Sequence, residues 1–216
     1  MDWVGVLLAS VLGVASALWL RTRRYRYEDD VVTRTLNPWW VPVVVVLGSL
    51  LGIWIHTGLP LVTAVTYVLA LAWAVTLGFI DLEVRRLPDI LTLPAYPVAG
   101  LLLVACALQT GAWASLARAA ACAGLAVVVF LLVIRVSRDQ AGIGWGDLKL
   151  VGVLAALLGW FSWDSALYGL LTGFVVGGVT AAFLLLTGRV GRGSSFSYGP
   201  SLILGAYLGA LLVPVT

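Results

Sequence analysis

The stretch Gly142-Ile143-Gly144-Trp145-Gly146-Asp147-Leu148-Lys149-Leu150 decides how the rest of this chain is interpreted. It sets an acidic residue, Asp147, at the start of a long apolar segment. A carboxylate inside a bilayer costs at least about 2.5 kcal/mol on insertion scales, so it indicates a functional site and needs a partner. The best candidate partner is Asp81, in the stretch Phe79-Ile80-Asp81-Leu82-Glu83-Val84-Arg85-Arg86-Leu87-Pro88-Asp89.

The composition indicates the class of protein. Of the 216 residues, 62% are hydrophobic and 11% are charged, and the mean hydropathy is +1.06. Soluble domains carry about 25% charged residues, so this chain cannot bury its apolar surface in one soluble core. We therefore expect an all-α, polytopic membrane protein in contact with lipid, with residues 1–216 forming a single membrane-embedded domain.

Eight apolar segments are candidate membrane spans, which are typically about 20 residues long. They lie at residues 3–20, 39–55, 61–80, 90–108, 117–134, 148–163, 165–187 and 201–215. The longest polar connection between them covers residues 21–38. Glycine recurs every fourth residue in the seventh and eighth segments, a spacing that lets helix backbones approach closely.

The basic residues predict the orientation of these spans. Of the 13 Lys and Arg residues, all except Arg118 lie in or beside the odd-numbered connections. The positive-inside rule makes those connections cytoplasmic, so both termini should face outward. Only Met1 and Asp2 precede the first segment, which predicts an uncleaved anchor rather than a signal peptide. The net charge of +3 reflects this topology, and we expect no nucleic-acid partner.

This orientation brings the two acids to the cytoplasmic ends of their spans. The sixth span is short, because the 17 residues from Asp147 to Trp163 cover about 25 Å of helix, against about 30 Å of hydrocarbon. If the tryptophans at its far end anchor at the outer interface, Asp147 is drawn below the inner one. Its glycine-rich approach must then line a water-filled cavity or be buried in protein.

Several kinds of catalytic site can be excluded from the sequence. A Ser-His-Asp triad would have to use His56, the only histidine, and no GxSxG motif is present. The HExxH zinc motif needs two histidines. Cys106 and Cys122 lie in apolar segments, at a spacing that fits neither a zinc site nor a disulfide framework. We expect no metal and no cofactor.

The remaining candidate for a catalytic site is the pair of carboxyl groups of Asp81 and Asp147. Two carboxyls that lie close together cannot both ionise cheaply, so they share a proton. One can then activate water while the other protonates the carbonyl oxygen or the leaving amine, which is the chemistry of aspartic proteases. Gly142, Gly144 and Gly146 would let the backbone adopt positive φ and come close to an extended peptide.

Each acid also has a structural interpretation. Asp147 could be the N-cap of the sixth helix, since Asp after a glycine turn is a good cap. Asp81 could be a solvated residue at a helix end. Asp89 follows a proline and precedes an apolar run, which favours an N-cap of the fourth helix.

The neighbouring cations have structural interpretations too. Arg85 and Arg86 are explained first as topology signals. Lys149 either snorkels to the membrane interface or tunes the charge of the acid pair, and the sequence does not separate these roles.

The two acidic segments resemble the paired signatures of the type IV prepilin peptidases, which are bacterial GxGD-type membrane aspartic proteases. The first signature, at residues 80–94, contains Ile80-Asp81 and Leu87-Pro88-Asp89-Ile90-Leu91-Thr92-Leu93-Pro94, and the second covers residues 142–150. The late Tyr198-Gly199-Pro200 resembles the family's Phe-Gly-Pro element, with Tyr in place of Phe. Eight helices agree with the family's architecture.

The resemblance implies that Asp81 and Asp147 are the catalytic pair. It implies supporting roles for the other motif residues, Leu87, Pro88, Asp89, Gly142, Gly144, Gly146, Lys149, Gly199 and Pro200. The implied partner is a prepilin or pseudopilin precursor, whose short basic leader is cut at the cytoplasmic face of the bacterial inner membrane. Bifunctional members also methylate the new N-terminus and carry CxxC motifs in a larger first cytoplasmic domain. Residues 21–38 contain no cysteine, so we expect neither methyl transfer nor zinc here.

Two other classes of function fit part of the sequence. Intramembrane acids also relay protons in proton-coupled transporters. Transporters often contain internal repeats with matching broken helices, and the GxGxGD segment has no second copy here. A purely structural pilus-assembly protein is the third possibility, and it would tolerate the loss of either Asp.

Overall fold

The computed structural model of the protein describes residues 2–27, 30, 32, 34–137, 144–187 and 197–212. Within these ranges every regular element is an α-helix, which confirms the predicted all-α class. The helices are α1 (Asp2–Arg21), α2 (Trp40–Ile55), α3 (Leu61–Val84), α4 (Asp89–Thr92), α5 (Ala95–Thr110), α6 (Trp113–Ser137), α7 (Trp145–Phe161), α8 (Trp163–Leu186) and α9 (Gly199–Leu212). Apart from the single turn of α4, each helix corresponds to one predicted segment.

The fourth predicted segment is interrupted near its start. The helix α4 ends at Thr92, and Pro94 is the N-cap of α5. Proline lacks the N–H group that would continue the helical hydrogen-bond ladder. Leu93 keeps helical dihedral angles, with φ −69° and ψ −45°, so the interruption is local. Together α4 and α5 form one candidate membrane span of 22 residues, Asp89–Thr110.

The helices are long and apolar enough to make this a multi-pass membrane protein. Five candidate spans meet the criteria of length and composition in the described residues, namely Trp3–Arg21, Leu61–Val84, Asp89–Thr110, Trp113–Val136 and Trp163–Leu186. The helices α2 and α9 are apolar but shorter. The outer faces are apolar as well, since Leu7, Val11 and Leu18 on α1 are all at least half exposed. Exposed apolar faces of this extent fit a surrounding of lipid.

The helix α7 lies at the centre of the bundle and is buried along nearly all of its length. Its closest neighbour is α6, where a Cβ added at Gly159 would lie 2.8 Å from the Cβ of Cys122. Small residues at such contacts let helix axes come close without a cavity. This central position fixes the start of α7, and with it Asp147, at one end of the bundle.

The glycine repeats of α8 and α9 pack backbone against backbone. A Cβ at Gly205 would lie 2.1 Å from the backbone nitrogen of Gly173, and a Cβ at Gly209 would lie 2.5 Å from the Cα of Gly169. The Ser165 hydroxyl adds a hydrogen bond of 2.8 Å to the Gly209 carbonyl oxygen. The predicted close approach of these two helices is therefore confirmed.

The C-terminal end of α7 is hydrogen-bonded by Arg118, which lies near the start of α6. Its Nε donates to the carbonyl oxygen of Gly159 at 2.7 Å, and its Nη2 donates to those of Trp160 at 2.7 Å and Phe161 at 2.8 Å. A cation at a helix C-terminus satisfies carbonyls that have no intrahelical partner. His56 stacks on Phe161 at a centroid distance of 5.4 Å, so it lies at the same end.

Candidate active site

The two predicted acids line one cavity, although they belong to different helices. The cavity has a volume of about 270 Å³ and lies where the end of α3 meets the start of α7. Its lining residues are Asp81, Arg85, Arg86, Leu87, Asp89, Gly144, Trp145, Gly146, Asp147, Lys149 and Tyr198. The carboxyls of Asp81 and Asp147 are close enough to interact electrostatically.

Asp81 is buried inside α3, which continues to Val84, so it is not the solvated helix end that was one interpretation. Its Oδ2 accepts a hydrogen bond from the Ser197 hydroxyl at 2.5 Å and another from the Gly199 backbone N–H at 3.0 Å. Hydrogen bonds of this kind hold a buried carboxylate in one orientation. The segment before α9 is therefore part of the site.

The reason for glycine at position 199 follows from this contact. A Cβ at Gly199 would lie 2.6 Å from Oδ2 of Asp81 and 3.2 Å from its Cγ. Only a residue without a side chain brings its N–H so close to the carboxylate. Pro200 follows in the first turn of α9, where a proline costs little because the first N–H groups of a helix have no intrahelical partner.

Asp147 is the third residue of α7, and the N-cap is Gly144, so the interpretation of Asp147 as the N-cap is wrong. Its Oδ2 accepts a hydrogen bond from the Gly144 backbone N–H at 2.9 Å. A side chain at this position that reaches back to the N-cap forms one half of a capping box. Asp147 is 7% exposed, and the positive end of the α7 dipole favours its negative charge.

The glycines of the second signature do not use positive φ, which corrects that expectation for the described residues. Gly144 has φ −87° and ψ 160°, and Gly146 lies in the helix. Gly146 instead faces Leu87 of the first signature, where an added Cβ would lie 3.0 Å from the Leu87 Cβ. The two signatures thus pack directly against each other. Gly142 lies outside the described residues.

Asp89 is not the N-cap of the fourth helix, which is a further correction. Pro88 occupies the N-cap position with extended dihedral angles, and Asp89 is the first residue of α4. Oδ1 of Asp89 instead pairs with Nζ of Lys149 at 2.6 Å. Neither role proposed for Lys149 included this ion pair, which joins the two signatures at the rim of the cavity.

Arg85 lines the cavity, although its position in the sequence suggested only a signal of membrane topology. It is the C-cap of α3 in the left-handed conformation, with φ 52°. It lines the cavity and interacts electrostatically with Asp81. Arg86 also lines the cavity, and its guanidinium lies 4.8 Å from the ring centroid of Tyr27 and 3.3 Å from Oδ1 of Asp30.

Among the described residues, Glu83 is the acid with the most hydrogen-bond and ion-pair partners, and no sequence pattern singles it out. It is fully buried, two residues after Asp81. The carboxylate receives bonds from the guanidinium of Arg23, the hydroxyl of Tyr25, the guanidinium of Arg26 at 3.0 Å and the backbone N–H of Leu36 at 2.9 Å. All four donors come from the first connection, which is thereby fixed to the end of α3.

The donors around Glu83 are matched to a negative charge. Burial raises the pKa of the Tyr25 phenol, and the hydrogen bond to Glu83 raises it further, so the phenol remains a donor. Charged and hydrogen-bonded partners are what a buried carboxylate requires. No spacing rule connects residues 47 to 60 positions apart, so this contact could not be predicted from the sequence.

Tyr198 lies between the two residues that bond to Asp81, and it is one of the residues that line the cavity. Burial raises the pKa of its phenol, and the charge of Asp147 raises it further.

Ser197 could not be predicted from the sequence, because a serine in a polar connection carries no signal for an acid 116 positions away. Among the described residues, no three His, Cys, Asp or Glu side chains are grouped so as to hold a metal ion.

The fold and the cavity define a class of protein, a multi-pass helical membrane protein in which two separate segments bring a pair of acids together. The chain matches the type IV leader peptidase family over residues 68–213, and it belongs to that family. The family predicted from the two signatures is confirmed.

Curated relatives carry a more specific name. A prepilin leader peptidase/N-methyltransferase of Aeromonas hydrophila is 32% identical over 200 residues, which cover 91% of this chain and 64% of the relative. One of Burkholderia pseudomallei (strain 1026b) is 37% identical over 130 residues, which cover 58% of this chain and 39% of the relative. The chain thus spans 64% of the length of the first relative. No solved structure gives a significant match to the chain.

Proposed function

We propose that this protein is a membrane aspartic endopeptidase that removes the short basic leader from type IV prepilin or pseudopilin precursors. The observation that carries the proposal is that Asp81 of α3 and Asp147 of α7 line one cavity. The family match over residues 68–213 includes both acids, and the curated relatives are named as prepilin leader peptidases.

The chemistry follows from two carboxyls in one small cavity. Since both cannot ionise without cost, they hold one proton between them. The ionised carboxyl removes a proton from a water molecule, which attacks the scissile carbonyl carbon. The protonated carboxyl gives its proton to the leaving amine. The Asp81 carboxyl is oriented by Ser197 and Gly199, and the Asp147 carboxyl by Gly144.

The supporting motif residues act by holding the two acids in place. Leu87 and Gly146 pack the two signatures together, and the pair between Asp89 and Lys149 joins them at the rim. Pro88 starts α4 after the turn. Small errors in the position of a catalytic group cost about 10²-fold in rate, so these contacts matter for activity.

We propose that the cavity opens to the cytoplasm of the bacterial cell, with the protein in the inner membrane. Three cations, Arg85, Arg86 and Lys149, line the cavity, and the positive-inside rule favours the cytoplasm for such residues. Both termini would then face outward. Residues 1–216 would act as one peptidase domain, with lipid and the precursor as partners and no nucleic acid.

We further propose cleavage without methyl transfer. The first connection, residues 21–38, contains no cysteine, and four of its described residues bind Glu83. Methylating members of the family use a cysteine-bearing domain in that position, as the resemblance implies. None of the described residues of this connection lines the peptidase cavity.

The test is co-expression with candidate prepilins in a host that has no other enzyme of this kind. The N-terminus of the pilin is then determined by mass spectrometry. Loss of the leader with a free, unmethylated N-terminus is the expected result. If every candidate prepilin kept its leader, the peptidase proposal would be overturned. If the mature N-terminus had a mass increased by one methyl group, the proposal of cleavage without methyl transfer would be overturned.

A further inference from the structure

The two acids of the cavity differ in what binds their carboxyls. Both hydrogen bonds of the Asp81 side chain go to one oxygen, Oδ2, which accepts from the Ser197 hydroxyl at 2.5 Å and from the Gly199 backbone N–H at 3.0 Å. The other oxygen, Oδ1, accepts no hydrogen bond from a described residue. Since Asp81 lines the cavity, Oδ1 is the oxygen that is left for a water molecule there.

The donors to Oδ2 favour the ionised form of Asp81. A backbone N–H can only donate, so the contact with Gly199 disfavours a proton on Oδ2. Hydrogen bonds to an ionised acceptor are roughly twice as strong as those between neutral groups, and two of them meet on this oxygen. Arg85, the C-cap of α3, adds a positive charge that interacts with the carboxylate.

Asp147 has less support for a negative charge. Its Oδ2 accepts one hydrogen bond, from the Gly144 N–H at 2.9 Å. The positive end of the α7 dipole also favours the charge, but more weakly than a hydrogen bond to a charged group does. The other charged residues of the cavity are already paired, since Asp89 binds Lys149 at 2.6 Å and Arg86 binds an acid of the first connection at 3.3 Å. Asp81 is therefore the acid better able to carry the single negative charge of the pair.

We propose that the two acids have fixed and different roles, with Asp81 as the general base and Asp147 as the general acid, and that Ser197 is a positioning residue that sets this division. In the resting pair, Asp147 holds the shared proton. The inference rests on the proposed peptidase function and goes beyond it, because a shared proton alone does not determine which acid starts as the carboxylate.

The proton transfers of this scheme balance. Oδ1 of Asp81 takes a proton from water while the water oxygen forms a bond to the scissile carbonyl carbon. When the C–N bond breaks, its electron pair goes to the nitrogen, which receives the proton of Asp147, and the carbonyl re-forms in the new carboxyl group. Asp81 is then protonated and Asp147 ionised. Transfer of one proton from Asp81 to Asp147 restores the pair.

The two roles can be separated by changing the leaving group. In a synthetic precursor peptide the scissile amide is replaced by a thioester, because a thiolate leaves without being protonated and an amine does not. The parent, Asp81→Asn and Asp147→Asn proteins are assayed as full chains in lipid nanodiscs with both peptides, and hydrolysis without protein is subtracted. The defect of Asp147→Asn should be at least about tenfold smaller on the thioester than on the amide. Asp81→Asn should be equally impaired on both peptides.

The other outcomes each decide against one proposal. The opposite pattern, the same recovery in both variants, or recovery in neither would overturn the assignment of roles and leave the peptidase proposal intact. Undiminished cleavage of the amide by both variants would instead overturn the peptidase proposal itself.

The part assigned to Ser197 is tested by Ser197→Ala, which removes a donor to Asp81, and by Ser197→Thr, which keeps it. We expect kcat for the amide to fall by about tenfold in Ser197→Ala, the effect of one hydrogen bond to a charged group, with KM nearly unchanged. Ser197→Thr should stay within about twofold of the parent, because its hydroxyl replaces the lost donor.

Ser10→Ala is the matched control for these variants. The Ser10 hydroxyl donates to the Val6 carbonyl oxygen at 2.8 Å within α1, so its loss should leave kcat unchanged. A normal kcat in Ser197→Ala, or a loss that Ser197→Thr does not restore, would overturn the role of Ser197. The thioester assay tests the roles of the two acids even if Ser197→Ala folds poorly.

Discussion

The backbone N–H of Gly199 donates a hydrogen bond of 3.0 Å to Oδ2 of Asp81, and a Cβ at Gly199 would lie 2.6 Å from the same oxygen. The contact joins the start of α9 to α3, across 118 positions of sequence. Glycine is therefore needed at position 199 because it allows the backbone N–H to orient the Asp81 carboxyl, and not because the backbone turn requires it.

The first prediction concerns Gly199→Ala. Because the new methyl group would displace the Asp81 carboxyl, we expect cleavage to fall by about 10²-fold, the usual cost of a misplaced catalytic group. Gly178→Ala is the matched control, since a Cβ there meets nothing within 4 Å, and it should cleave normally. Precursor processing is followed by gel shift at equal expression. Cleavage by Gly199→Ala within threefold of the parent would show that the contact is dispensable.

The second prediction concerns the pair of acids. Asp81→Asn and Asp147→Asn should each lower the cleavage rate by about 10² to 10⁴-fold or more, because Asn cannot act as a base or an acid. The double variant should be no slower than either single variant, since residues that act as one unit are not additive. Single-turnover assays of purified protein measure this. Near-normal cleavage by one of the single variants would remove that residue from the site.

The third prediction concerns the ion pair between Asp89 and Lys149. Both side chains are partly exposed, at 61% and 28%, so the pair should contribute only about 0.2 to 1 kcal/mol. Asp89→Asn and Lys149→Gln should each lose part of the activity, and the double variant should lose no more than one of them. A double-mutant cycle of thermal unfolding gives the coupling. If Asp89→Asn alone abolished cleavage, the first catalytic acid would be Asp89 rather than Asp81.

The fourth prediction concerns Glu83→Gln. Breaking a buried ion pair typically costs about 3 to 5 kcal/mol, because the remaining charges are left without a partner. We expect the Tm to fall by at least about 6 °C, since 1 kcal/mol corresponds to about 2 to 4 °C in a protein of this size. Asp164→Asn, an exposed acid at the start of α8, should change the Tm little. Equal Tm values for these two variants would mean that Glu83 does not hold the first connection.

The fifth prediction concerns orientation. In a protein whose two buried cysteines, Cys106 and Cys122, are replaced by Ala, single cysteines are introduced as Thr22→Cys and Thr57→Cys. Both threonines are exposed, one after α1 and the other after α2. An impermeant maleimide should label Thr57→Cys in intact spheroplasts and should label Thr22→Cys only after permeabilisation. The reverse pattern would place the cavity on the outer face.

The sequence alone was sufficient to identify the two candidate acids, and the reason is the energetic cost of an acidic residue in an apolar segment. Asp81 and Asp147 stand out because acids are costly within apolar segments, and the length and composition of those segments predict the membrane spans. Glu83 lies beyond the third predicted segment, residues 61–80, and close to Arg85 and Arg86, so the sequence does not distinguish it from a polar connection. Its donors lie 47 to 60 positions earlier, and only the folded chain brings them together.

The errors of the sequence interpretation also have physical causes. Asp89 was expected as an N-cap because acids are common there, but Pro88 already supplies the extended dihedral angles of that position. Gly146 was expected to provide conformational freedom, but it provides space for Leu87. The correction at Asp89 depends on the residue directly before it, whereas the correction at Gly146 depends on a contact in space that the sequence does not show.

Arg118, the basic residue that lies apart from the other cations, has a consequence for how the chain is inserted. Its guanidinium donates to three carbonyl oxygens at the end of α7 and to the Ser115 hydroxyl within α6, so three of its hydrogen bonds form only once α7 has been synthesised. Until then, α6 contains a cation that lacks these three bonds. We therefore expect α6 and α7 to become fixed in the membrane as a hairpin. A topology reporter fused after α6 should give a mixed orientation, and the same reporter fused after α7 should give a single one.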